Sequence, residues 1–414
     1  MIIAQVVGED TQSMIMSLMV DSKFQCANTS CIPFINVFTS NIINCQIACL
    51  TQSRCRAATF HRSTSNCELF DNMLNQNGSI LADVDAISMN VISGTRFPSV
   101  CSLSSQSSWS QNATTIFGSQ IGTPGSNLSL LSSPIGMYYD GSNNMLFVAD
   151  NGNHRILQFF INNPPSIATV TAGGNGGGCN MNQLNLPNGI DFDSSGRLYV
   201  ADFGCGQVVT FPSNSNSATS GTLLGSVAQA VLISINQLTN DTYVASTYDN
   251  AVYKFVGGSG SPVVAAGGNG AGSGLNQLSG PTGVCYDYLY TNSLYISDNG
   301  NYRVMKYPSG STNTTYGTVI AGGNGAGSGA NQLNNPRNIV VDSSGTLYIG
   351  DAGNNRIQRW LQNATSGTTI VGGTLGAAPN QLSFPDTAIF DKYNNLLVSD
   401  RNNNRIQMFN LTTC

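Results

Sequence analysis

The side chains that could do chemistry in this chain are mainly thiols and carboxylates, because the sequence contains only two histidines, His61 and His154. A catalytic zinc site needs several clustered ligands, commonly histidines, and no Cys-x-x-Cys pair lies among the cysteines from Cys26 to Cys67. His154 occupies a repeated turn position that elsewhere holds Gly, Tyr or Asn. No Ser/His/Asp or Cys/His arrangement is indicated. We therefore expect no catalytic residue, no metal ligands and no enzyme activity.

Carboxylates recur in this sequence together with arginine. Each of these Asp residues ends an apolar run, and an Arg follows five residues later, after a Gly/Asn-rich turn. Such an Asp can accept hydrogen bonds from turn amides, and a guanidinium can bridge chain segments through several donors. The repetition predicts a structural role rather than a catalytic one. The pairs are Asp150/Arg155, Asp298/Arg303, Asp351/Arg356 and Asp400/Arg405.

These pairs belong to a longer pattern that recurs from about residue 134. The recurring pattern is Pro-x-Gly, apolar residues in alternation, a turn, a second apolar run ending in Asp, and Arg with an apolar residue after the next turn. Alternation is typical of strands, and Asp193-Ser-Ser-Gly196 is typical of a hairpin turn. A fourth strand, such as 168–172, completes a unit of about 50 residues, the size of one β-propeller blade. The copies begin at Pro134, Pro187, Pro281, Pro336 and Pro385, and a degenerate copy covers 241–253.

The six copies closely resemble the NHL repeat family, whose members form six-bladed β-propellers. The resemblance covers about residues 113–414 and implies a mostly β fold. The degenerate third copy lacks the Pro-x-Gly and the Asp–Arg pair, so family-like contacts are not predicted there. No fourth strand follows Phe409, whereas residues 114–118 match residues 368–372. We expect 114–118 to supply the missing strand and close the ring without a free edge.

A small second domain precedes the propeller, at 25–100, with an arm at 1–24 before it and a linker at 101–112 after it. The sequence predicts a helix over 41–50 with Cys45 and Cys49 on one face, followed by strands at 56–60 and 67–70. The spacing Cys-x3-Cys-x5-Cys-x11-Cys resembles the PAN/Apple family of disulfide-rich α+β domains, which bind proteins or carbohydrate. That resemblance implies the disulfides Cys45–Cys67 and Cys49–Cys55.

Propeller topology constrains the remaining cysteines. Cys179 lies in an interblade loop and Cys205 in a turn on the same face, so a bond between them is plausible. Cys101 and Cys414 flank the closing seam, and a bond there could stabilise by roughly 4–5 kcal/mol in the chain-entropy model. Cys26 and Cys31 would then pair, leaving Cys285 as a buried thiol. The alternative links Cys26 or Cys31 to Cys101.

Composition narrows the classes of partner. Charged residues make up 9% of the chain, and 16 basic residues with a net charge of −5 argue against nucleic acid. No run of eighteen apolar residues is present, so no membrane span is expected. The 11 cysteines indicate an oxidising, secreted location, although the first ten residues form a poor signal peptide; a signal was removed or the sequence is incomplete. Candidate N-glycosylation sites are Asn28, Asn77, Asn112, Asn127, Asn240, Asn313, Asn363 and Asn410.

Glycine-rich segments could suggest a phosphate site. Gly-Gly-Asn-Gly recurs at 173, 267 and 322, but a phosphate loop needs a following helix or a Gly-Lys-Ser/Thr sequence. Here Asn-Gln-Leu and a Pro follow, so the segments are interpreted as interblade loops. No cofactor is expected; calcium is the one alternative, because Asp and Asn oxygens are abundant on one face.

The arm at 1–24 contains two apolar, β-prone stretches, 2–7 and 14–20. It could add a strand to the chain's own PAN-like sheet or to a neighbouring copy. The favoured hypothesis is a non-catalytic secreted protein that binds protein or carbohydrate through the propeller loops and the PAN-like module. The alternatives are an extracellular structural protein that self-assembles into filaments through the arm, and a calcium-dependent propeller hydrolase.

Overall fold

The computed structural model describes residues 103–161 and 167–414 with their side chains and, before them, eight strands by their backbone. The chain forms two compact units, Met1–Val100 and Cys101–Cys414. Each unit is described by itself below.

The first unit contains a sheet of six strands, in the order β1-β2-β8-β5-β6-β4, and a separate pair, β3-β7. The strands are β1 (Ile2–Gln5), β2 (Ile15–Met19), β3 (Ser22–Gln25), β4 (Ile35–Phe38), β5 (Ala57–His61), β6 (Asn66–Phe70), β7 (Ser79–Ala82) and β8 (Ala86–Val91). β5 and β6 lie within one residue of the strands predicted at 56–60 and 67–70. The helix predicted over 41–50 lies outside the described residues.

Both apolar stretches of the arm are strands of this sheet. β1 pairs with β2, and β2 pairs with β8 from Met16 opposite Val91 to Met19 opposite Ser88. The structure thus has the arm on the chain's own sheet, which is the first of the two alternatives. β1 lies at the edge of the sheet order.

The second unit is a ring of six four-stranded antiparallel sheets, and the predicted mostly β, six-bladed propeller is confirmed. Blade 6 includes the early strand β10 (Thr114–Gly118), which is preceded by the short strand β9 (Ser108–Trp109). Blades 1 to 3 contain β11 (Pro134–Asp140), β12 (Met145–Asp150), β13 (Arg155–Phe160) and β14 (Thr169–Gly173); β15 (Pro187–Phe192), β16 (Leu198–Asp202), β17 (Gln207–Phe211) and β18 (Thr222–Ser226); and β19 (Ala230–Ile235), β20 (Thr242–Ser246), β21 (Ala251–Phe255) and β22 (Val263–Gly267).

Blades 4 to 6 continue the same order. They contain β23 (Pro281–Asp287), β24 (Ser293–Asp298), β25 (Arg303–Pro308) and β26 (Thr318–Gly322); β27 (Pro336–Val341), β28 (Leu347–Asp351), β29 (Arg356–Trp360) and β30 (Thr368–Gly372); and β31 (Pro385–Phe390), β32 (Leu396–Asp400) and β33 (Arg405–Phe409), followed by β34 (Leu411–Thr413). The degenerate third copy therefore forms a complete blade.

The ring closes through strand β10. It pairs with β33, Thr114 lying opposite Met408, and so completes the sheet of blade 6. A second join follows, because β9 pairs with β34. Trp109 in β9 is buried against the rings of Tyr348 and Phe390 and donates its indole N–H to the carbonyl of Asn394 at 2.9 Å.

The first strand of each blade contacts the first strands of both neighbours, so these six strands surround the axis. Their approach is closest at Gly136, Gly189 and Gly283. A Cβ atom at these positions would meet the carbonyl oxygens of the next blade's Asn188, Val231 and Arg337, respectively. The Gly of the repeated Pro-x-Gly is therefore required by contact between neighbouring backbones.

The turn between the second and third strands is a short 3-10 turn that ends in a left-handed residue in five blades. His154 is that residue in blade 1, with φ of 56°, and Asn355 and Asn404 are its equivalents. Asn and Gly tolerate this conformation well. His154 Nδ1 accepts a hydrogen bond from the amide of Leu186 at 3.1 Å, so this histidine has a structural contact in the turn.

Candidate binding faces of the propeller

The Asp–Arg pairs hold the interblade loops in place. In blade 1, Asp150 accepts the amide of Ser132 at 2.7 Å and Arg155 Nε at 2.7 Å. The two terminal nitrogens of Arg155 then donate to the carbonyls of Ser126, Asn127 and Leu130 at 2.8–3.2 Å. The loop 119–133 leads from blade 6 into blade 1. It is therefore attached to the start of β13, where Arg155 lies.

The same contacts recur in blades 4, 5 and 6, where each Asp–Arg distance is 2.7–2.8 Å. An Asn three residues after the Asp adds a further bond, as Asn153 does to the carbonyl of Gly125 at 2.8 Å. The clamps consist of Asp298, Asn301 and Arg303; Asp351, Asn354 and Arg356; and Asp400, Asn403 and Arg405.

These clamps are buried charges. The side chain of Asp150 has no exposed surface and that of Arg155 only 7%. Burial raises the pKa of Asp150 above its usual value, while hydrogen bonds from Ser132, Asn153 and Arg155 act in the opposite direction. A buried ion pair contributes little net stability, but removing one partner leaves an uncompensated charge. The clamps therefore act mainly on loop position.

Blade 2 has a disulfide at the place where blades 1, 4, 5 and 6 have the Asp–Asn–Arg clamp. Cys205 takes the position of Asn153, and Cys179 takes that of Ser126; the two sulfurs are bonded, with Cα atoms 5.6 Å apart. The position of the arginine holds Gln207, whose amide reaches Asp202 at 3.2 Å. With no guanidinium beside it, burial raises the pKa of Asp202 to about 6.

Blade 3 has neither clamp nor disulfide, because its interblade connection is short. β18 ends at Ser226 and β19 begins at Ala230, so only 227–229 link the blades. Ser246 stands at the clamp Asp position and donates to the carbonyl of Ala228 at 2.6 Å. A short connection needs no side chain to hold it.

The glycine-rich loops are braced from within. In the loop of blade 4, Asn269 Nδ2 donates to the carbonyl of Asn276 at 2.8 Å, and Gln277 Nε2 donates to the carbonyl of Asn269 at 3.2 Å. Asn175 with Gln183 and Asn324 with Gln332 make the same bonds. These side chains support the loop itself, and no helix of the described residues follows the glycines. The geometry fits an interblade loop and not a phosphate cradle.

One face of the propeller, here called the loop face, consists of the interblade loops and the turns between second and third strands. The turn amide of Gly152 donates to the loop carbonyl of Ser132 at 2.9 Å, which places both on this face. Large apolar side chains are exposed there: Ile121 at 80%, Tyr248 at 69% and Leu375 at 67%. Ile121 and Leu375 project from loops that the clamps of blades 1 and 6 hold, and Tyr248 projects from the turn of blade 3.

A layer of side chains at equal register lines the axis. It lies four residues after the first residue of each first strand and consists of Tyr138, Asp191, Ser234, Cys285, Val340 and Ile389, all half-buried. Asp191 accepts the amides of Phe192 and Ile235 at 2.8 and 2.7 Å. Burial raises the pKa of Asp191 to about 7 despite these bonds. The sequence itself could have revealed this layer, because the same position can be counted from the first residue of each copy's first strand. None of the predictions above used that count.

Cys285 in this layer is a free thiol. Burial, the largest cause, and the nearby carboxylates of Asp287 and Asp191 raise its pKa to about 12. Such a thiol is a poor nucleophile at neutral pH, which agrees with a strand residue rather than a catalytic one.

The other predicted cysteine pairs fall mostly beyond the described residues. Cys414 is disulfide-bonded. Cys26, Cys31, Cys45, Cys49, Cys55 and Cys101 lie outside the described residues, as do the sequons at Asn28 and Asn77, and Cys67 lies in β6, which is described by its backbone alone. Among the remaining sequons, Asn240 is half-buried with φ of 57°. The exposed ones are Asn112, Asn127, Asn313, Asn363 and Asn410.

Metal binding and membrane insertion each need a recognisable feature in the described part of the chain. Within it, no group of three or more His, Cys, Asp or Glu side chains is arranged to hold a metal ion. No helix there is long and apolar enough to cross a membrane. Calcium binding therefore stays a prediction without a candidate ligand set.

Fold and loop scaffolding together define the class: a six-bladed β-propeller with buried clamps at its interblade loops, carried with a small N-terminal unit. Protein-family models identify the parts. A PAN domain model matches residues 33–91, and an NHL repeat model matches 131–159 and 333–360. The chain thus combines an N-terminal PAN domain with a propeller of NHL repeats. A search of curated proteins finds no matching sequence.

Solved structures share the fold at low sequence identity. A protein of unknown function from Bacteroides thetaiotaomicron is 13% identical, with a TM-score of 0.57 and coverage of 98% of this chain and 99% of its own. An auxiliary nutrient-binding protein from the same organism is 14% identical, with a TM-score of 0.55 and coverage of 86% and 91%. A gluconolactonase from Xanthomonas campestris is 11% identical, with a TM-score of 0.51 and coverage of 75% and 99%. These likenesses concern the fold alone.

Proposed function

We propose that this protein is a secreted, non-catalytic binding protein that uses the propeller's loop face, together with its PAN domain, to hold a protein or carbohydrate ligand. The observation that carries the proposal is the combination of clamped loops and exposed apolar side chains on one face. Binding costs less when the contacting loops are already ordered. Contiguous exposed apolar patches mark interaction sites, and large apolar side chains on ordered loops are available to contact a ligand.

The clamps supply that order. Arg405, the most deeply buried of the four arginines, bonds Asp400 and the loop carbonyls of Ala377, Ala378 and Gln381 at 2.7–3.2 Å. Leu375 lies in this same loop and is exposed. The loop is thus held at one end by buried charge and offers an apolar side chain close by. Ile121 stands in the loop that Arg155 holds.

Other observations support the binding and secretion parts of the proposal. The disulfide Cys179–Cys205 and the 11 cysteines suit an oxidising compartment. The PAN family binds proteins or carbohydrate, and one structural neighbour is named as an auxiliary nutrient-binding protein. Buried Asp and Arg side chains make structural contacts that order the loop face, which supports it as a surface for a ligand.

The test compares two triple variants on arrays of defined glycans and of purified extracellular proteins. Ile121→Ser/Tyr248→Ser/Leu375→Ser removes the apolar side chains of the loop face. Its matched control, Leu238→Ser/Leu289→Ser/Tyr393→Ser, removes exposed apolar side chains from turns between first and second strands, at the opposite face. We expect the first to lose at least tenfold in signal for every array ligand of the parent and the second to keep it.

Equal binding by both variants, or loss only with the control, would overturn the loop-face assignment. δ-Gluconolactone and EDTA serve as further probes of the hydrolase alternative. Calcium-dependent lactone hydrolysis by the purified protein would show that the non-catalytic part of the proposal is wrong.

A further inference from the structure

A groove of about 400 Å³ lies between blades 4 and 5, near the face opposite the loop face. Blade 4 contributes Ser293, Lys306 and Thr318, and blade 5 contributes Leu347 and Gln362. This volume is at the lower end of the range of about 300–1,000 Å³ for small-molecule sites. Hydroxyl and amide groups stand beside an apolar wall, and the only charged group lining the groove is the ammonium of Lys306.

Lys306 has no counter-ion within the described chain. Its Nζ lies 5.5 Å from the ring centre of Tyr295, the residue opposite it on β24. None of the ion pairs formed in residues 103–161 and 167–414 includes it. The ring offers a weak attraction, but a half-buried ammonium gains more from an anion.

Blade 3 shows how this position is normally neutralised. Lys254 has the same register, opposite Tyr243, with its Nζ 5.6 Å from that ring's centre. Its Nζ also reaches Asp241 at 2.6 Å. Asp241 lies two residues before Tyr243, and the residue two before Tyr295 is Ser293, so blade 4 has a neutral hydroxyl where blade 3 has a carboxylate.

The hydroxyl of Ser293 supplies no negative charge. It donates to the carbonyl of Thr291 at 2.8 Å. In blade 5 the cation at this register, Arg359, donates to the carbonyl of Ser107 at 2.7 Å. Lys306 is thus the cation of this position that neither a carboxylate nor a carbonyl of the described chain satisfies.

We propose that the groove between blades 4 and 5 binds an anionic saccharide, with Lys306 pairing with its carboxylate or sulfate. The hydroxyls of Ser293 and Thr318 and the amide of Gln362 contact sugar hydroxyls, and Leu347 packs against the apolar face of a ring. This inference rests on the proposed binding function and gives it a ligand class, at a site separate from the loop face. A polar wall suits a saccharide better than an apolar peptide side chain.

The experiment measures affinity for four probes by titration calorimetry. They are a hyaluronan tetrasaccharide, which carries carboxylates, its carboxyl-reduced neutral form, a heparin tetrasaccharide, which also carries sulfates, and its desulfated form. Asn363 lines the groove and stands in a sequon, so all proteins also carry Asn363→Gln. We expect at least one anionic probe to bind, and its neutral or desulfated partner to bind at least tenfold more weakly.

Two variants and a control locate the site. Lys306→Gln should weaken anionic binding at least tenfold. Ser293→Asp, which installs the counter-ion of blade 3 at the equivalent register position, should weaken it similarly while the protein stays folded. Lys254→Gln, at the same register of blade 3, should leave it unchanged, and thermal unfolding checks that all three variants fold.

Unchanged affinity in both Lys306→Gln and Ser293→Asp, equal loss in Lys254→Gln, or no binding of any probe overturns the groove proposal. The triple loop-face variant separates it from the proposed function. It should still bind the anionic probe, so loss of array binding with retained probe binding supports both sites. Probe binding that falls with the loop-face variant but not with Lys306→Gln contradicts the groove alone.

Discussion

Cys205 is bonded to Cys179 and takes the position that holds an asparagine in blades 1, 4, 5 and 6. In those four blades this asparagine belongs to an arginine clamp on the interblade loop. The bonded loop begins after Gly173 and ends at Pro187, the first residue of β15. A covalent bond thus holds the loop entering blade 2, and non-covalent contacts hold the loops entering blades 1, 4, 5 and 6. Both devices fix the same kind of segment at the same place.

We predict that Cys179→Ser/Cys205→Ser destabilises the propeller by about 2–4 kcal/mol, the usual cost of losing a disulfide. Cys179→Ser/Cys205→Asn/Gln207→Arg restores the residue types of the clamp and should recover part of that loss. Chemical denaturation of the three proteins measures both effects. A clamp variant as unstable as the serine variant would show that the two devices are not equivalent.

Removing the arginine of a clamp should cost more than removing a surface arginine. Arg155→Gln leaves Asp150 buried without its cation, for which about 3–5 kcal/mol is expected. The control is Arg197→Gln, whose side chain is 49% exposed although its partner Asp193 is 1% exposed; Asp193 keeps its bonds from Ser195, so a smaller loss is expected. Thermal unfolding compares the two; similar losses would contradict a positional role for the clamp.

Acid should stabilise the propeller relative to neutral pH through two buried carboxyls. The folded pKa values of Asp191, about 7, and Asp202, about 6, exceed the unfolded value of 3.8. The folded state therefore binds more protons than the unfolded state between about pH 4 and 7, and stability falls as pH rises through that window. Asp191→Asn should flatten the decline between pH 5 and 7.5. The same slope in variant and parent would exclude Asp191 as its source.

At lower pH, two other carboxyls have the opposite effect on the stability of the propeller. Hydrogen bonds from Ser142 and Asn143 keep the pKa of Asp140 below its usual value, and those from Ser195 and Arg197 do so for Asp193, against the effect of burial. Their stabilisation is lost as the carboxyls protonate below about pH 4. A maximum of stability near pH 4 to 5 is therefore expected in a thermal-unfolding series.

Glycosylation should follow exposure. In a secreting eukaryotic host, we expect glycan on Asn112, Asn127, Asn313, Asn363 and Asn410, which are exposed, and none on Asn240, which is half-buried. Peptide mass spectrometry after enzymatic release in heavy-oxygen water measures the occupancy of each site. Full occupancy of Asn240 would mean that the site is modified before the propeller closes around it.

Deletion of residues 1–24 tests assembly through the arm. Because β2 already pairs with β8, the arm of a neighbouring copy would have to add beside an edge strand, β1 or β4, or displace the chain's own arm. We expect light scattering to give the parent and the deleted protein the same number of subunits per particle, and we expect neither to form filaments in negative-stain images. Filaments that disappear on deletion would favour the self-assembling structural alternative.

Local pattern in the sequence was enough to predict the six blades. Alternating apolar residues, hairpin turns and the Pro-x-Gly start recur because the blades pack their four strands in the same way. The match of 114–118 to 368–372 predicted the strand that pairs with β33. The Asp–Arg pairs were assigned a structural role for the same reason. Repetition makes such residues visible without coordinates.

Tertiary structure alone decided how neighbouring segments use those residues. In blade 2 the disulfide Cys179–Cys205 replaces the clamp, and blade 3 needs no clamp because its connection, 227–229, is short. Both outcomes depend on the length of chain between consecutive blades. Lys306 became a candidate ligand residue only when its register against Tyr295 could be compared with Lys254 and Asp241. Whether a charge is neutralised depends on distances between strands, and the linear order of the residues does not contain those distances.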